Sequence, residues 1–131
     1  MVAWLLNEPG SEVVQIALGT ADSVAASHLT LVECDRALIR AEALLGEPET
    51  NRRRDVFHAT SASWTLAALG PDVIDRARRP FPVEPIRTLD ALHHASALNI
   101  AEGLADLAIL SLDRRIRSSA RALGFAVLPI G

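Results

Sequence analysis

Three acidic residues far apart in the chain, Glu33, Asp90 and Asp113, are the ones whose type and placement could do chemistry. Carboxylates gathered from separate segments raise the cost of ionising one another, and a divalent cation removes that penalty. Oxygen ligands without Cys or His suit Mg²⁺ or Mn²⁺, which bind phosphates and keep some of their waters. The chemistry that follows is attack on a phosphodiester, with the ion orienting water and offsetting charge on the leaving oxygen. Taken singly, each acid has a plainer reading. Asp90 and Asp113 each suit a helix N-terminus, where a cap is worth about 1 kcal/mol. Glu33, among Leu31, Val32 and Cys34, can face solvent or pair with an arginine. The pattern alone leaves coincidence and a metal site both open.

The elements that must carry these acids alternate between strand and helix. "MVAWLLNEPGSEVVQIAL" reads as a short helix ending near Asn7, a turn at Pro9-Gly10 and a helix capped by Ser11. A buried strand is expected from Asp22 to Ala26, with a turn at Ser27 or His28. A long amphipathic helix containing Leu31, Leu38 and Leu45 then stops at Gly46 and Pro48. A second helix reaches about Ala62, followed by a strand around Trp64 to Leu66. Pro71 opens a short helix that closes before Pro80. A proline-marked linker, "PFPVEP", leads into "IRTLDALHHASAL", an apolar helix of small residues with Asp90 at its entrance. A buried strand from Leu107 to Ser111, a helix begun at Asp113 and stopped at Gly124, and a last strand in "FAVLP" complete the chain. This alternation predicts an α/β fold of three layers around a mainly parallel sheet. Chemistry in such folds collects beyond the carboxyl ends of the strands, where Glu33 and Asp113 are expected to project.

The totals exclude several classes. A length of 131 residues suits one domain, and half of the residues are hydrophobic, which argues against disorder. A net charge of −3 excludes a basic nucleic-acid coat but not a nuclease that meets its substrate transiently. The lone Cys34 cannot form an internal disulfide and suits a reducing compartment. "MVAWLL" is too short for a membrane span and lacks a basic opening, so the expectation is a cytoplasmic protein with no membrane partner.

Four segments carry a resemblance to a known family. "WLLNEPGSE", "LTLVECDRAL", "IRTLDALHHASAL" and "LSLDRRIRSSARALGFAVLP" resemble successive segments of PIN-domain proteins of the VapC type, the toxin ribonucleases of bacterial toxin–antitoxin pairs. The resemblance runs over essentially the whole chain and is most specific in the last two segments taken together. It implies a single PIN-like α/β/α domain over residues 1–131 that is an Mg²⁺- or Mn²⁺-dependent endoribonuclease, with RNA as substrate and a cognate antitoxin as restraining partner. It places the catalytic and metal-binding roles on Glu33, Asp90 and Asp113. Ser111 matches a position where the family often has Thr, a hydroxyl that orients an acid or a bound water. Arg114 and Arg115, directly after Asp113, either counter its charge or meet RNA phosphates.

The departure is at the front. The family opens with a strand ending in Asp a few positions before the equivalent of Trp4, and this chain begins at Met1, so a first strand and one acid are expected to be missing. Either the true start lies upstream, or this is a shortened member that serves only as an antitoxin-binding or dimerisation module. Trp4, Leu5 and Leu6 accordingly read as an apolar edge for a second copy or an antitoxin helix, or as plain core. Of the adjacent His93 and His94, about 100° apart on a helix, at most one is expected to face the site. Glu102 and Asp106 read as surface acids, with Asp106 the nearer to the expected cleft. The Arg52-Arg53-Arg54 run is the densest positive patch and reads as a solvated face or one that meets an acidic partner.

Overall fold

The computed structural model of the chain describes residues 1–130. It is a mixed α/β structure with the element order α1 Val2–Leu5, α2 Ser11–Thr20, β1 Ala25–Ser27, α3 His28–Leu45, α4 Glu47–Ser61, β2 Thr65–Ala67, α5 Pro71–Ala77, α6 Thr88–Ala101, β3 Ala108–Leu110, α7 Arg114–Ala122 and β4 Ala126–Leu128. Two compact units divide it, Met1–Leu66 and the residues from Ala67 onward. Among the described residues the strands form two pairs, β1 with β2 and β3 with β4. No helix among them is long and apolar enough to cross a membrane.

In the first unit the expected strand from Asp22 is displaced toward Ala25–Ser27. Ser27 does not open a turn. Its hydroxyl accepts the Leu29 N–H at 3.1 Å and caps α3, which therefore begins at His28. Along α3, Cys34, Ala37 and Leu38 recur at helical spacing and are buried. Cys34 and Leu38 meet Leu5, Phe57 and Trp64 in one apolar cluster, against which Trp4 and Leu6 are partly buried. The apolar edge at Trp4 to Leu6 is thus core of this unit. Phe57 is fully buried, a contribution of about 1.5–3 kcal/mol, and stands edge-on to Trp64 with centroids 6.1 Å apart. Burial in this cluster pushes the Cys34 thiol up to about 11. Gly46 ends α3 with φ +81°, a backbone conformation that L side chains rarely adopt, and Pro48 sits in the first turn of α4.

The second unit is built on smaller residues. Ala91 and Ala95, one turn apart on α6, let it pack closely on α5 through Val73, with Phe81 closing the cluster. The Arg76 guanidinium lies 4.1 Å from the Phe81 ring centroid. Beyond α6, β3, α7 and β4 form a parallel βαβ unit with Ala108 opposite Ala126 and Leu110 opposite Leu128. Asp113 follows β3 and precedes α7, so it does stand beyond the carboxyl end of a parallel strand, as expected.

Candidate functional site

The second unit brings two of the three acids together. Asp113 is the N-cap of α7: its Oδ1 accepts the N–H groups of Arg115 and Ile116 at 2.8 and 3.2 Å. That bonding leaves Oδ2 for another partner. Ser111 holds Asp113 from behind, its hydroxyl accepting the Asp113 N–H at 3.1 Å, while its own N–H donates to the Leu128 carbonyl at 3.0 Å. The hydroxyl therefore orients the acid through its backbone. Arg117 is buried, and its guanidinium donates to the carbonyls of Ser111 at 2.8 Å and Pro129 at 2.6 Å, which ties the ends of β3 and β4 to α7.

Asp90 is not a cap. The N-cap of α6 is Arg87, and Asp90 is the third helical residue. A carboxylate in that first turn is favoured by the helix dipole. What joins it to Asp113 is Arg87, whose Nε lies 3.4 Å from Asp90 Oδ2 and whose Nη2 lies 3.7 Å from Asp113 Oδ2. One guanidinium thus stands between two carboxylate oxygens contributed from either side of β3. The Arg87 side chain is 67 % exposed, so each of these pairs is worth at most about 1 kcal/mol.

Arg87 and Asp90 line a cleft of about 410 Å³ between the proline-marked segment and α7, as do Arg114, Arg115 and His94, and Asp113 adjoins it through its pair with Arg87. Glu84 shapes its rim, accepting the N–H groups of Phe81 at 2.7 Å and Ile86 at 2.8 Å. Of the two adjacent histidines, His94 lines the cleft and is buried, whereas His93 is half-buried on the neighbouring face. Burial holds the His94 imidazole below its usual pKa, partly offset by the charge of Asp90 one turn earlier. Its Nε2 has no hydrogen-bond partner among the described residues.

Glu33 belongs to the first unit, where it is half-buried in the second turn of α3. Asp106 is exposed in a left-handed turn with φ +61°, and Glu102 is exposed at the end of α6. Among the described residues no group of three or more His, Cys, Asp or Glu side chains gathers as a metal site. The sequence matches no family model, and no curated protein matches it.

Reasoning from the sequence missed Arg87 and Glu84. Arg87 stands three residues before Asp90, a helical ion-pair spacing that was there to be read. Glu84, between Pro82 and Pro85, carried a weaker signal, since a carboxylate among prolines has free backbone N–H groups only at its neighbours.

Asp90 and Asp113 are oxygen donors of the type that a small divalent ion takes. Mg²⁺ uses one or two carboxylates and completes its shell with water and substrate phosphate. Asp90 Oδ2 and Asp113 Oδ2 already share a single positive charge.

Proposed function

We propose that this chain is a divalent-metal-dependent endoribonuclease of PIN-like architecture, restrained by a partner protein of the antitoxin kind. The observation that carries the reading is the convergence of Asp90 and Asp113 on the one guanidinium of Arg87, at a cleft that Arg87, Asp90, Arg114 and Arg115 line. Asp90 and Asp113 would hold Mg²⁺ or Mn²⁺, and Glu33 is the third acid the resemblance assigns. When bound, such an ion polarises a phosphoryl oxygen and lowers the pKa of water. The chain's own residues do the remainder. The cap bonds to Arg115 and Ile116 hold the Asp113 carboxylate and Ser111 holds its backbone, so that Oδ2 is presented without a search. Arg114 and Arg115 offer planar forks to the phosphates on either side of the scissile bond.

The test is cleavage of single-stranded RNA by the purified chain with Mg²⁺, with chelator, and in two variants. Asp90→Asn and Asp113→Asn are expected to lose activity by about 100-fold or more, since even outer-shell changes at metal sites cost about 10–100-fold. Asn caps a helix as well as Asp does, so Asp113→Asn should melt with the parent, whereas Asp113→Ala should lose about 1 kcal/mol of stability. Cleavage that survives chelator and both Asn variants would end the proposal. Partner binding without cleavage would favour the dimerisation or antitoxin-binding module instead.

A further inference from the structure

Helix α7 carries four arginines, at 114, 115, 117 and 121, and no acid among its nine residues, in a chain whose net charge is −3. Its far side from the Asp90 cleft forms a second groove, of about 500 Å³, lined by Leu112, Arg114, Arg117, Arg121 and Pro129. No acid and no aromatic side chain among the described residues lines it. Arg114 is the residue that lines both hollows. Arg114 and Arg121 are exposed, and seven residues of helix separate them by about 10 Å along one face. Arg117 lies between them, its guanidinium fastened to the Ser111 and Pro129 carbonyls, and so fixes the groove floor.

We propose that this groove is a second binding site for the phosphate backbone of a single-stranded RNA, entered across Arg114 from the Asp90 cleft and ending at Arg121. The inference rests on the nuclease reading and deepens it by giving the substrate a path. Two guanidinium forks held two helical turns apart suit the regularly repeated charge of a polynucleotide backbone better than the irregular carboxylates of an acidic peptide. Continuity through Arg114 with a cleft suited to phosphodiesters points the same way. With no aromatic platform in the groove, the contact reads charge and not base identity.

The experiment measures binding of fluorescein-labelled oligouridylates by anisotropy, with chelator present so that nothing is cut, across a range of salt. Lengths of about four and about twelve nucleotides bracket one short and one extended single-strand site. Arg121→Ala should weaken the longer RNA by about two- to fivefold at low salt, as for loss of one exposed ion pair. It should also lower the salt-dependence slope by about 0.7, the share of one single-strand phosphate. The shorter RNA should bind as before, and Arg121→Lys should recover most of the loss. Unchanged affinity and slope for the longer RNA would overturn the proposal, as would equal losses at both lengths. So would an effect of Arg121→Ala confined to a polyglutamate peptide. The two readings fail separately: length-dependent binding through Arg121 without Mg²⁺-dependent cleavage removes the nuclease and keeps the groove. Cleavage with Arg121→Ala binding unchanged does the reverse.

Discussion

The two helices richest in arginine put the same side chain to opposite uses. On α4 the run Arg52-Arg53-Arg54 finds its side-chain partners within its own helix. Glu49 receives Arg52 at 2.7 Å and Arg53 at 2.8 Å, and Arg54 donates to Asn51 at 2.7 Å. On α7 no acid lies within the helix, and Arg114 and Arg115 stand in its first turn, where the dipole disfavours a cation. The Asp113 cap offsets part of that cost. Density of charge along a sequence therefore says little about availability. The acids at three and four residues' distance decide it, and by that criterion the denser run is the closed one and the sparser helix the open one.

Each helix also turns one arginine inward, and the largest predicted effect compares these two. Arg117 is 8 % exposed and bonds two carbonyls at the ends of β3 and β4, whereas Arg53 reaches the Leu5 carbonyl with one longer bond of 3.4 Å. Hydrogen bonds from a charged donor are worth about 1.5–3 kcal/mol each. Arg117→Ala should therefore destabilise the chain by about 3 kcal/mol in urea unfolding. Arg53→Ala, on a half-open surface, should cost less than about 1 kcal/mol. Equal costs would show that burial does not separate the two helices in the way their contacts suggest.

Much of this was legible from local pattern and little of it from distance. Asp113 as a cap, the stop of α3 at Gly46 and the opening of α5 at Pro71 follow from rules that act within one turn of chain. The turn expected at Ser27 or His28 is a helix cap instead, because a serine after small residues suits a turn and a cap about equally and its hydroxyl bonds the Leu29 N–H. How the strands pair is long-range information: β3 and β4 are three residues each, and nothing in "AIL" or "AVL" names its partner. The same limit hid Arg87, whose ion pair with Asp113 spans the whole of α6 and β3. Arg121 needs no long-range information, since its seven-residue spacing from Arg114 lies open in the sequence.

Arg87 offers the middle-sized test, because it is an arginine of the second unit that meets two acids. Its guanidinium and a divalent ion would compete for Asp90 Oδ2 and Asp113 Oδ2. Removing it lifts that competition, and the gain is limited by how exposed the arginine is. Arg87→Ala should bind Mn²⁺ about two- to fivefold more tightly than the parent by calorimetry without RNA. Weaker binding would mean that Arg87 positions the acids for the ion instead of standing in for it.

The smallest effect concerns the closed helix. Hydrogen bonds from Arg52 and then Arg53 hold the Glu49 carboxyl down to about 2 from an ordinary value of 4.5. A depressed acid contributes stability that is present above its unfolded pKa and is lost as pH falls through the folded one, here between about 4.5 and about 2. Because Glu49 is half-exposed, salt should screen the pair and raise its midpoint. The side-chain carboxyl signal of Glu49 in an NMR titration should move near pH 2 at low salt, and Arg52→Gln should shift it upward more than Arg53→Gln does. A midpoint at the ordinary value would mean that the Glu49 pairs do not persist in solution. Arg52 and Arg53 would then be as open as the arginines of α7, and availability would have to be explained by the grooves beside that helix and not by the acids within the other.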